Sequence, residues 1–127
     1  MRKYLILLAF VAAAFISKAQ TDTATQLQNA KNLWATYNNG DPNDTSQFAA
    51  LSADYITVLN IDTANARANQ GLGDVYSFFS SYWLTQAQAI QSSNPTLYNS
   101  CMQQSNNYSA LAAPYLQRYL RIKGISN

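Results

Sequence analysis

Chemistry in a chain of 127 residues without His or Glu has to start from six Asp, one Cys, and hydroxyl and amide side chains. Without His there is no Ser-His-Asp triad, no Cys-His pair and no His-based zinc site. The carboxylates that come nearest one another are Asp41, Asp44 and Asp54. Two such groups can run glycoside hydrolysis, one protonated as the acid and the other acting as nucleophile or base. Asp41 and Asp44, however, lie in the turn-rich run Asn38-Asn39-Gly40-Asp41-Pro42-Asn43-Asp44, where Asp serves turn and capping geometry. Read as a calcium loop, the run alternates Asp41, Asn43 and Thr45 or Ser46 as oxygen ligands, but no Glu closes it. Gly71-Leu72-Gly73-Asp74 is no phosphate cradle, since no Lys-Ser/Thr follows and the segment lies within a helical stripe. Cys101 has no second Cys to pair with and reads as a small apolar filler. These residue types imply no enzyme, no cofactor and no metal; an Asp-dependent hydrolase is the alternative from that class.

The elements that would position any site begin after residue 19. Residues 1–19 read as an export signal: Arg2 and Lys3 are the positive start, and Tyr4 to Ile16 form an apolar run of 13. Ser17-Lys18-Ala19 then puts small residues at the cleavage positions. As a helix the run spans about 20 Å, short of the ~30 Å hydrocarbon core, which disfavours an uncleaved anchor. The expected mature protein starts at Gln20, is periplasmic or secreted, and meets the membrane only through its leader during export.

The leader also hides the charge balance. The formal net charge of +2 includes Arg2, Lys3 and Lys18, so the mature chain holds five bases against six acids, a net of −1. That removes the compositional argument for a nucleic-acid partner. An asymmetry is left. Residues 20–74 hold all six Asp against Lys31 and Arg67, whereas residues 75–127 hold Arg118, Arg121 and Lys123 with no acid. Cations at the end of a terminal helix complement its dipole, and they can equally form a docking patch.

From Gln20 onward apolar residues recur at helical spacing between polar breaks, and no period-2 run of β-branched residues occurs. Leu27, Ala30, Leu33 or Trp34, and Tyr37 form one stripe, stopped at Asn38-Asn39-Gly40-Asp41-Pro42. Asp44, Thr45 or Ser46 can cap a second, with Phe48, Leu51, Tyr55 and Val58 or Leu59. Asp62-Thr63-Ala64-Asn65 breaks it and recaps a third, with Ala68, Leu72, Val75 or Tyr76, and Phe79. Ser80-Ser81 is expected to link to a fourth carrying Trp83, Ala87 and Ile90, stopped by Ser92-Ser93-Asn94-Pro95. A fifth is expected over about Thr96 to Gln104, and Ser105-Asn106-Asn107 leads into a last helix from about Tyr108, kinked at Pro114. The expectation is an all-α domain over residues 20–127, six helices in three antiparallel pairs.

Thr63 and Pro95 close corresponding turns 32 residues apart, close to the roughly 34-residue period of tetratricopeptide repeats. Tyr55, Leu59-Asn60-Ile61-Asp62, Asn65-Ala66, Ala68, Leu72-Gly73 and Tyr76 resemble a repeat junction of that family, with Thr63 in place of the family Pro. Trp34 stands where the family has a small residue. The resemblance implies a short solenoid of about two and a half to three repeats, whose first helices line a concave face that binds a protein or peptide. On that face it places Gln28, Lys31 and Ala35 from the first helix and Arg67, Gln70, Asp74 and Ser77 from the third. The expected function is non-enzymatic protein or peptide interaction in the bacterial envelope or outside it. The alternative is a structural subunit that self-assembles, as a homo-oligomer, through its terminal helices.

Overall fold

The structure is a computed structural model that describes residues 22–37 and 45–125, and among these it is helical with no strand. Helix α1 covers residues 22–37. A single 3-10 turn, Thr45–Gln47, leads into α2 (Phe48–Ile61). Helices α3 (Ala66–Ile90) and α4 (Pro95–Ile122) follow. The leader read over residues 1–19 and the loop bearing Asp41 and Asp44 lie outside the described residues.

The turns between helices are built by short polar side chains. The Asp62 carboxylate accepts the Ala64 N–H at 3.1 Å, and Asn65 caps α3 by accepting the Ala68 N–H at 2.9 Å. Asn94 does the same for α4, accepting from Leu97 at 3.1 Å, with Pro95 in the first turn where its missing N–H costs nothing. At α2 Gln47, not Asp44, Thr45 or Ser46, occupies the cap position, and the 3-10 turn Thr45–Gln47 makes the entry.

Four helices stand among the described residues where the sequence reads as six, because two expected breaks are helix interior. Ser80 and Ser81 lie mid-α3, and Ser105, Asn106 and Asn107 lie mid-α4. The serines act across the interface instead of ending helices. The Ser80 hydroxyl donates to the Ser105 carbonyl oxygen at 2.8 Å and lies 3.2 Å from the Ser105 hydroxyl. Two small side chains let the helices approach and satisfy each other's polar atoms. Helix α4 likewise runs through Pro114, which is exposed, as is Ala110 one turn before it. The carbonyl freed by the missing N–H therefore faces solvent, which lowers the cost of about 3 kcal/mol a proline imposes on a buried helix.

Packing fixes the directions. Gly73 lies against Leu116, Ser80 bonds Ser105, and Asn69 meets Arg118, so α3 and α4 run antiparallel. Gly71 lies against Tyr55, while Phe48 stacks on Phe79 with ring centroids 3.9 Å apart, so α2 and α3 are antiparallel too. Trp34 and Tyr37 of α1 meet Phe78 edge-on at 5.1 and 5.7 Å, while Leu27 and Lys31 lie across from Arg67 and Gln70, which sets α1 beside α3 in the same direction. The core lies where these helices converge, with Leu51, Val58, Leu72, Val75 and Phe79 at its centre. Phe48 and Tyr82 touch at the start of α2, so the later part of α3 continues past it. There α3 and α4 pair as a two-helix arm whose buried residues include Ala87 and Cys101.

Candidate binding cleft

The parallel course of α1 and α3, with α2 beneath them, leaves a cleft of about 210 Å³ at the surface. Leu27, Lys31 and Trp34 supply one wall at i, i+4 and i+7 spacing on α1. Arg67, Gln70, Gly71 and Asp74 supply the other, again one helical stripe. Tyr55 of α2 forms the floor. A Cβ at residue 71 would overlap the Tyr55 ring, so the ring lies directly on the α3 backbone, and only glycine permits that approach. Trp34 is held by edge contacts to Tyr37 and Phe78 at 5.8 and 5.1 Å, which leaves its remaining surface to the cleft.

The structure brings Lys31, Arg67, Gln70 and Asp74, singled out from sequence, into this one cleft. Gln28 is exposed elsewhere on α1, where its amide donates to the Asn32 side chain at 2.9 Å. Ser77 is half-buried on α3 and, with Ala35, lies outside the lining. Leu27, Trp34 and Tyr55 had read as core stripe, and Gly71 as an ordinary helix residue. The available signal was the adjacency of Leu27, Lys31 and Trp34 on one side of a helix with a charge in the middle.

Two exposed cations and one carboxylate stand over an apolar floor. Partial burial within the walls pushes the Asp74 carboxyl above the ordinary carboxylate range, although the residue as a whole counts as exposed. Burial also raises the Tyr55 hydroxyl, with Asp74 and Asp54 adding to the rise and Arg67 opposing it. A raised carboxyl favours the protonated folded form, so ionised Asp74 is a liability whose effect appears as pH rises through its folded pKa. Asp74→Asn is therefore expected to raise the melting temperature at pH 7. The gain should vanish below about pH 4, near the unfolded carboxylate value. Thermal melts of both proteins at the two pH values check this; a gain that persists in acid contradicts it.

Chemically the arrangement can hold a chain. Lys31 and Arg67 offer donors to carboxylates and carbonyls, Asp74 and Gln70 accept from amides, and Trp34, Tyr55 and Leu27 take an apolar side chain. Among the described residues no group of three or more His, Cys, Asp or Glu could hold a metal ion. Nor is any described helix long and apolar enough to cross a membrane. Compared with protein-family models, with curated proteins and with solved structures, the chain matches none.

Proposed function

We propose that this chain is an exported, non-enzymatic helical-repeat protein that holds an extended protein or peptide segment in the cleft between α1 and α3. The observation that carries the reading is the convergence of Lys31, Arg67, Gln70 and Asp74 on the aromatic floor of Trp34 and Tyr55. The cleft is smaller than the roughly 300–1,000 Å³ typical of small-molecule pockets, a size suited to a few residues of a chain passing across it. The tetratricopeptide-like junction at Tyr55 to Tyr76 supports the same reading. Its α2 and α3 are the two helices that such a junction joins, and α1 and α3 then stand as successive first helices of a short array of helix pairs. The leader over residues 1–19 places the meeting with the partner in the bacterial envelope or outside.

The test is a peptide-library selection on the chain from Gln20 onward, with Trp83→Phe so that Trp34 is the remaining indole and its fluorescence reports binding. Selected peptides should carry carboxylates beside an aromatic or aliphatic side chain. Lys31→Glu with Arg67→Glu should weaken them at least about tenfold, the range for losing charge-assisted bonds. Binding unchanged by the reversal, or without any Trp34 signal, overturns the reading.

A further inference from the structure

Helix α2 is apolar around most of its circumference. Leu51, Tyr55, Val58 and Leu59 face the core. Its outward side presents Ala49, Ala50, Ala53, Ile56, Thr57, Asn60 and Ile61, all exposed, and Asp54 is its one charge. A helix that is apolar all round belongs in an interior. Helix α1 shows the contrast, turning Gln28, Asn29, Asn32 and Thr36 to solvent.

A second exposed apolar strip runs along α4. Leu111 is 47% exposed and Ile122 40%, with exposed Pro114 between them. The packing places this strip on the side of the molecule that α2 occupies. Tyr76 and Phe79 touch each other, Phe79 stacks on Phe48 of α2, and both meet Tyr108 of α4. Tyr115 also meets Tyr76, whereas Leu116 turns to Gly73 on the opposite flank. Leu111 lies one turn from Tyr108 and one turn from Tyr115, so it shares their flank.

The two strips carry opposite charge. Asp54 and Asp62 accompany the one on α2. Arg118, Arg121 and Lys123 accompany the one on α4, with no acid anywhere from Val75 to Asn127. We propose that this face is the interface between two copies of the chain, related by a two-fold axis that sets α2 of each against the last turns of α4 of the other. Charge selects that arrangement. Placing α2 on α2 would gather carboxylates and placing α4 on α4 would gather cations, whereas α2 on α4 pairs opposite signs and does so twice by symmetry. The exposed Ile and Leu side chains supply the apolar centre that homodimer interfaces have. The cleft lies on α1 and the far flank of α3, so pairing and peptide binding are separable.

Sedimentation velocity and light scattering on the chain from Gln20 onward, which contains every residue of the core, test the proposal over about three decades of concentration up to ~0.5 mM. The expected result is a reversible dimer. Ile56→Asp and Leu111→Asp, both at exposed positions, should each weaken it at least about tenfold with the helical circular dichroism unchanged. The pair Arg121→Asp and Lys123→Asp should weaken it as well and reverse its dependence on salt. A chain that stays monomeric throughout leaves the face to a different protein and overturns the proposal. So does a dimer indifferent to all these variants.

Discussion

Replacing Phe79 by alanine is expected to cost about 3–5 kcal/mol, the range for deleting a buried aromatic ring. Phe79 is 1% exposed and is the ring on which three helices close. It stacks on Phe48 of α2 at 3.9 Å, meets Tyr76 and Phe78 of its own helix, and meets Tyr108 of α4 at 5.2 Å. The cavity left by alanine would touch all of them, and no neighbour on a helix can swing in without abandoning its own partner. Against a total stability of about 5–15 kcal/mol for a domain of this size, the loss takes roughly a fifth or more. Urea titration followed by far-ultraviolet circular dichroism at 25 °C reads the shift in midpoint. A loss under about 1.5 kcal/mol, the upper end for trimming one methylene, would mean that the stack does not join the helices.

Asn69→Ala is expected to come next, at about 1–3 kcal/mol, and by a different route. Asn69 is a polar residue with 0% of its surface exposed. Its amide donates to the carbonyl oxygens of Thr63 and Asn65 at 3.0 and 2.9 Å, and its oxygen accepts from Arg118 at 3.4 Å. One side chain thus ties the α2–α3 turn, the start of α3 and the end of α4. Alanine removes the amide donor from the Thr63 and Asn65 carbonyls, the second of which keeps the Asn69 backbone N–H at 3.1 Å, and takes the acceptor from Arg118. Asn69→Asp keeps the shape but turns oxygen towards oxygen, and at neutral pH it should be at least as damaging as alanine. The same urea experiment decides. An alanine variant within about 0.5 kcal/mol of the parent, the range of an ordinary surface change, would show that the turn holds without it.

Local chemistry was legible in the sequence where it is local in the structure. Asn65 and Asn94 act within three residues of themselves, and the Asp62 turn closes on Ala64. Those stops stand where they were expected. Ser80-Ser81 and Ser105-Asn106-Asn107 misled because the same hydroxyls that favour turns can be satisfied by a helix 25 residues away. Only the α3–α4 register reveals that choice. Pro114 follows the same logic, its cost depending on which side of α4 it occupies. At the cleft, Lys31, Arg67, Gln70 and Asp74 come from the face that the repeat resemblance implies, whereas Gln28, Ala35 and Ser77 of the same expected face lie outside the lining. Tyr55 was not on that face, since its role depends on a glycine in another helix against which its ring can lie flat.

The paired arm beyond α2 has one more consequence. Its fully buried residues are Ala87 and Cys101, the latter a free thiol, with Trp83, Ile90, Tyr98 and Met102 half-buried beside them. Fewer fully buried side chains hold these ends together than hold the ring cluster around Phe79. Their separation is therefore a low-energy excursion that leaves the rest of the molecule intact. The rate at which a thiol reagent reaches Cys101 then gauges the parting of the two tips wherever that opening outruns global unfolding.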